Sequence, residues 1–326
     1  MSTVSAYDMS FSDIPLWEWV WMTFGFVSVL LHCLVLLTVL RARQTASGHF
    51  FRAPFFTIVL IQGVHEILEF LTSNFVNRLR KYRIIYYAIS EDNNIVEWQI
   101  YWYIFLKNVI YISHMGIAAN RLSAFLFTQY GRYDKIWNSV TVAALTVVSY
   151  LISIALRAAV YSPSIKCTTT TYNGTNILHY DLGSFFMDYD ATVDLILSST
   201  SGITCFLFYS LTAYLASKHQ LDSARARKRE MTLLKCGIAT FFILLPTPIR
   251  CALELWSSLT DHTSIYTFVR QLNLLPVEAM CVFQPWLLLL SCASLRERFK
   301  ILFKKERTAG TGQTTSGTAA TQTQVY

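Results

Sequence analysis

Residues Trp19–Leu40 read WVWMTFGFVSVLLHCLVLLTVL, 22 positions without one Asp, Glu, Lys or Arg. At 1.5 Å per residue about 20 apolar residues cross the ~30 Å hydrocarbon core of a bilayer, so this run is a membrane span. Six further runs lie outward along the chain: Ala53–Phe75, Ile100–Leu126, Trp137–Val160, Ala191–Leu215, Met231–Leu255 and Ile265–Cys292. One or two such runs would suit a buried core helix; seven in one chain do not. The composition agrees: 14% of residues are charged, against about 25% in soluble domains, too few to coat a soluble surface. The expected fold is an all-α seven-transmembrane helix bundle.

Orientation follows from charge. Lys and Arg in short loops favour the cytoplasmic side. With the N-terminus outside, the inner segments carry 18 Lys and Arg, including Arg121, Lys135 and the stretch Arg225, Arg227, Lys228, Arg229. The outer segments carry five, Arg78, Arg80, Lys81, Arg83 and Lys166. The sequon at Asn173, with Thr175, lies in an outer loop and is the predicted glycosylation site. Asp8, Asp13 and Glu18 precede the first span and no basic residue does, so a cleaved secretory signal is not expected. The formal charge of +7 is then topology at an anionic inner leaflet, not a nucleic-acid footprint.

The chain divides into an extracellular N-terminus (residues 1–18), the bundle (19–292), a juxtamembrane helix (293–307) and a cytoplasmic tail (308–326). Leu295, Phe299, Leu302 and Phe303 recur at helical spacing among Arg and Lys, which predicts a short amphipathic helix on the inner surface. The Thr, Gly, Ala and Gln-rich tail has no core-forming pattern and reads as disordered. The longest outer loop, about Tyr161–Asp190, contains β-prone pieces. Cysteines fall mostly in spans, where they are small apolar fillers. Cys167 alone is extracellular, either an unpaired thiol or bonded to Cys251.

Seven spans with Asn120-Arg121-Leu122-Ser123 ending the third resemble the G-protein-coupled receptors. Ala118-Ala119-Asn120-Arg121 followed by Tyr133-Asp134-Lys135-Ile136-Trp137 looks like the nematode serpentine chemoreceptors, gamma class and near relatives. The exit of span seven, Gln284-Pro285-Trp286-Leu287 to Ser294-Leu295-Arg296, is similar to that family's. Asn120 stands where rhodopsin-like receptors carry an acid. Leu244-Leu245-Pro246 and Gln284-Pro285-Trp286 replace their span-six and span-seven signatures. The resemblance implies a receptor in the plasma membrane of sensory neurons. It would bind a small extracellular ligand and couple to a heterotrimeric G protein through Asn120, Arg121, Lys135 and the Arg225–Arg229 stretch, with no cofactor.

Ionisable residues inside spans are costly and mark function or pairing. Glu66 and Glu69 share a helical face. Glu69 lies roughly 9 Å below the outer end of its span and Lys107 about as deep in the next, so the two are placed to pair, as a structural ion pair or in a ligand pocket. Arg157, Arg250 and Arg270 fall in the outer thirds of spans four, six and seven. They either snorkel to headgroups or form a cationic mouth for an acidic ligand. Tyr103 and Tyr111 belong to an aromatic stripe that reads as interfacial belt, bundle core or pocket lining. Glu278, beside Pro276, is too deep to snorkel and needs a partner. Arg121 reads as a cation reaching an inner cavity or as a headgroup anchor. His65-Glu66-Ile67-Leu68-Glu69 begins like a zinc-protease helix but lacks the second histidine, and no other histidines cluster as a metal requires. The principal rival function is a secondary transporter using the intramembrane Glu and Lys residues. Such proteins show internal repeats and matched broken spans, which this sequence lacks.

Overall fold

The computed structural model describes residues 14–45, 50–78, 94–127, 132–158, 166–172, 175–181, 184–218, 224–260, 268–269, 272 and 275–309. Its helices are α1 (Leu16–Gln44), α2 (Pro54–Leu71), α3 (Asn94–Phe127), α4 (Tyr133–Ile136), α5 (Ser139–Ala158), α6 (Ser184–Lys218), α7 (Ala224–Leu244), α8 (Pro246–Leu259), α9 (Leu275–Ser291) and α10 (Ala293–Ala309). A π-helical turn, Thr72–Arg78, continues α2. Between α5 and α6, β1 (Lys166–Tyr172) and β2 (Thr175–Asp181) pair antiparallel, with Lys166 opposite Asp181 and Tyr172 opposite Thr175. The architecture is an all-α bundle with one hairpin in a connection.

Among the described residues, five helical segments are long and apolar enough to cross a membrane. They are Leu16–Gln44, Pro54–Phe75, Ser139–Leu156, Tyr189–Lys218 and Leu234–Ser257. A bent pair, α9 with α10, makes six. Helix α3 is not among them, although its 34 residues would reach about 51 Å. Lys107, Asn108, His114, Asn120 and Arg121 are all buried along it, and they lower its hydropathy. It is the central helix, packed against α2, α5 and α6.

Helix α1 shows why these segments behave as spans. Met22, Gly25, Val29, His32, Leu36 and Val39 recur every three or four residues and are buried, while Val20, Val27, Leu30, Leu34 and Leu37 are exposed on other faces. A helix apolar on its exposed side as well faces hydrocarbon rather than water. Contact with α2 depends on glycine. A Cβ at Gly25 would stand 2.2 Å from the Phe70 ring, and one at Gly63 2.8 Å from Nε2 of His32. Small residues let membrane helices approach in this way.

Proline sets two boundaries. The span-six run is divided at Leu245 between α7 and α8, because Pro246 has no N–H to continue the helical ladder. The span-seven run was expected from Ile265; of its first part the structure describes residues 268, 269 and 272, and helix α9 runs from Leu275. Pro276 stands in its first turn, where a missing N–H leaves no bond unmade. After α9 the chain turns by 95° at Cys292 into α10. Arg296 donates to the carbonyls of Leu289 (2.9 Å) and Leu290 (2.5 Å), which α9 leaves without helical partners. Leu295 and Phe299 pack α10 onto the same apolar core as Val39 and Phe55.

Candidate functional site

Two apolar cores lie at opposite ends of the bundle. One groups Val35, Val39, Phe55, Phe56, Val59, Ile117 and Trp137; the other groups Val29, Phe70, Ile110, Tyr111, Val277 and Met280. Between them, on the intervening turns of α1, α2 and α3, sits a polar layer. Gln62 Nε2 donates to Glu66 Oε1 at 2.6 Å and lies 3.1 Å from His114 Nε2. His32 Nε2 is 3.7 Å from Glu66 Oε2. Cys281 of α9 donates to Glu69 Oε2 at 3.0 Å. His65 meets the Tyr150 hydroxyl at 2.7 Å, away from Glu66. Among the described residues no group of three or more His, Cys, Asp or Glu could hold a metal ion.

At the end of the bundle where α1 begins, Arg78 is buried. Its Nη2 donates to Glu278 Oε2 at 2.8 Å and its Nη1 to Asn74 Oδ1 at 2.5 Å. Its Nε stands 3.2 Å from Glu18 Oε2. Glu278 also accepts from Trp21 Nε1 (2.6 Å) and Ser73 (2.5 Å). One guanidinium therefore ties α1, α2 and α9 together. The π-helical turn makes this possible, since its wider register directs Ser73, Asn74 and Arg78 toward α9; such turns recur where side chains must be re-aimed.

Beside this network, on α3, α6 and α8, lies a second one. Lys107 Nζ donates to Asp194 Oδ2 at 2.5 Å and stands 3.9 Å from Asp190 Oδ2. Arg250 donates through Nη1 to Glu254 (2.6 Å), and its Nη2 lies 3.6 Å from Asp194 Oδ2. Lys107 lies 5.6 Å from the centre of the Tyr103 ring. Tyr103 and Tyr111 are within electrostatic reach of Asp194 and Arg250. Four buried polar atoms here have no protein partner: the hydroxyls of Tyr103 and Tyr111, Asp194 Oδ1 and Arg250 Nε. Buried polar atoms are nearly always bonded, so four orphans on three adjoining helices mark this spot, as those of His32, Gln62, Glu66 and Glu69 mark the polar layer. It can accept and donate hydrogen bonds to a small molecule.

At the opposite end, Arg121 is buried. Its guanidinium carbon lies 4.0 Å from the centre of the Phe55 ring, and its Nη2 donates to Asn120 Oδ1 at 3.0 Å. Asn120 Nδ2 donates to the Tyr133 hydroxyl at 3.0 Å, and Trp137 Nε1 to Ser123 Oγ at 2.5 Å. The short helix α4 is thereby fastened to the end of α3.

With this geometry in view, residues 21–305 match the profile of the serpentine type 7TM GPCR chemoreceptor Srv. The chain belongs to the Srv family. No curated protein matches it. The Srv match shows a nematode serpentine chemoreceptor at superfamily level, among the near relatives of the gamma class that the sequence motifs resemble. Srv proteins are classed as chemoreceptors and not as enzymes, and this chain is a multi-pass membrane protein.

The Srv-family chain brings together four of the seven residues proposed for ligand binding: Tyr103, Lys107, Tyr111 and Arg250. Glu69 is within electrostatic reach of Tyr103 and Lys107 but bonds Cys281, and the hydrogen-bond partner of Lys107 is Asp194. Adjacency of spans two and three made the Glu69–Lys107 pair plausible, but α3 turns Lys107 toward α6. Lys107 and Arg250 meet Asp190, Asp194 and Glu254, so these two cations are matched by carboxylates. Arg78, expected in an exposed loop, is buried in an ionic network. Arg121 is buried over the Phe55 ring. Lys135 is exposed. Cys251 is a free thiol, so it is not bonded to Cys167. Arg270, Asn173 and the tail from residue 310 lie outside the described residues, as do the side chains of Arg157, Arg225, Arg227, Lys228 and Arg229. Sequence reasoning missed Asp190, Asp194 and Glu254. Asp194 lay in plain view, three residues inside the fifth apolar run.

Proposed function

We propose that this chain is a G-protein-coupled chemosensory receptor with seven spans and its N-terminus outside. A small extracellular ligand binds among Tyr103, Lys107, Tyr111, Asp194 and Arg250. The observation that carries the site is the set of four unpartnered polar atoms there. The ligand is a small hydrogen-bonding molecule, because the two cations already hold carboxylates; an acid would have to displace one of them at an energetic cost. Binding shifts the population between two packings of the bundle, by the difference in affinity for each. The readout is the Asn120–Arg121 end, with Lys135 and the Arg225–Arg229 stretch facing the G protein.

Ligand panels on cells carrying this chain alone, with a second messenger and solute uptake both recorded, test the reading. A ligand-evoked messenger is expected, and uptake without a messenger points to the transporter instead. Arg121→Ala is expected to abolish the messenger while ligand binding persists. Because the Phe55 contact contributes about 0.5–2 kcal/mol, Arg121→Lys serves as a folded control that keeps the charge. Normal signalling from a normally expressed Arg121→Ala receptor removes Arg121 from coupling.

Topology has its own expected result. The 18-to-5 division of Lys and Arg supports an N-terminus outside. An epitope tag after Tyr326 should be reached by antibody only in permeabilised cells, and Asn173→Gln should shift the glycosylated band downward. Staining of intact cells through that tag overturns the orientation.

A further inference from the structure

A groove of about 810 Å³ runs between α1, α8 and α9 at the Arg78 end, with Trp21, Ile243, Arg250, Leu253, Pro276 and Ala279 among its walls. It is almost wholly hydrocarbon, and it meets the orphaned polar atoms only at Arg250. Among the described residues Arg250 is the one charged residue on it, and both terminal nitrogens of that guanidinium are engaged, with Glu254 and with Cys251. The Trp21 indole N–H is likewise given to Glu278. The rim residues Val20 (62% exposed), Ile249 (61%) and Phe268 (55%) belong to faces turned outward. In a membrane-embedded bundle those faces meet lipid, so the groove opens sideways into the bilayer.

We propose that this groove seats one acyl chain of a phospholipid from the surrounding leaflet. Three features select that occupant. Apolar walls left without neighbouring atoms lose dispersion contacts outright. The Trp21 indole N–H and both terminal nitrogens of Arg250 already have partners, so a ligand with several hydroxyls or a charge would bury groups it could not satisfy. The opening is continuous with hydrocarbon, which supplies acyl chains at high local concentration. The groove also shares Trp21 with the Arg78–Glu278 network and Arg250 with the Asp194 network. An acyl chain seated there therefore packs against both, and through Arg250 it touches the outer wall of the proposed ligand site. The inference requires membrane embedding but not G-protein coupling.

The test uses the full chain in nanodiscs of phosphatidylcholine doped with a phosphatidylcholine carrying a photoreactive diazirine in its acyl tail. After irradiation, adducts are mapped by mass spectrometry. Labelling of Ile243 and Ala279, which are only partly exposed, should exceed severalfold that of the fully lipid-facing Val140, Val147 and Leu151 of α5. Ala279→Phe, which fills the groove, should bring groove labelling down to the α5 level and leave α5 labelling unchanged. If that variant does not fold, Leu253→Trp at the rim gives the same comparison. Labelling that simply follows exposure overturns the proposal, as does groove labelling that persists in a folded groove-filling variant. Preferential labelling by a photoreactive sterol overturns it in favour of a ring-shaped occupant.

Discussion

Arg78→Leu is expected to destabilise the bundle by about 3–5 kcal/mol, because it strands the buried Glu18 and Glu278 carboxylates without their cation. Glu278 is fully buried, and the three donors that remain to it, from Trp21, Ser73 and Asn74, carry no charge. Thermal unfolding of the receptor in nanodiscs, followed by thiol reactivity of the buried cysteines, reads the effect, together with surface expression. Removing all three charges, as Glu18→Leu, Arg78→Leu and Glu278→Leu together, should cost less than Arg78→Leu alone, since no uncompensated charge is then left inside. An exposed loop cation changes stability by no more than about 0.5 kcal/mol. A shift that small for Arg78→Leu would falsify the buried network.

The second large effect lies at Lys107. Lys107→Met leaves Asp194 with only Arg250, 3.6 Å away, as a cation, and Asp194→Leu leaves Lys107 with the more distant Asp190. Each single replacement is expected to cost a few kcal/mol, and the double replacement less than their sum, giving a coupling energy of about 1–3 kcal/mol. Lys107→Met combined with Glu69→Gln should show a weaker coupling, because Glu69 bonds Cys281 and meets Lys107 only through a longer-range attraction. Strong coupling to Glu69 with none to Asp194 would show that α3 is rotated from the position described here. Both cycles are read as unfolding midpoints in the same nanodiscs. Ligand response should fall further than stability alone explains if Lys107 also faces the ligand.

Much of the architecture was legible from short-range pattern. Apolar runs near 20 residues mark helices that need no partner to satisfy their backbone in lipid, so the spans were found without knowing their neighbours. Leu295 and Phe299 recur at helical spacing among Arg and Lys, and the structure has helix α10 there. Pro246 and Pro276 were visible as possible breaks. That α9 runs from Leu275 was less so, because Val269 and Leu272 keep the run apolar ahead of it.

Pairing was not legible. Hydropathy reports a residue's depth in the bilayer and carries no information on the rotation of its helix. Lys107 and Glu69 share a depth, yet 107 faces α6. Glu278 needed a cation, and the one it found came from a segment that charge counting had assigned to a loop. A π-helical turn extends α2 by seven residues, and no hydrophobic period announces it.

The sequence by itself therefore determined the class of molecule: a multi-span helical membrane protein with a basic tail-side surface and a serpentine-receptor likeness. Each of those follows from composition or local spacing, which the bilayer reads one segment at a time. Only the tertiary structure decided which buried charges meet. It placed Arg78 between Glu18 and Glu278, set Lys107 on Asp194, and left the Tyr103 and Tyr111 hydroxyls without partners. Such contacts join residues 60 to 200 positions apart, and they depend on helix rotation, which is fixed by packing and not by hydrophobicity.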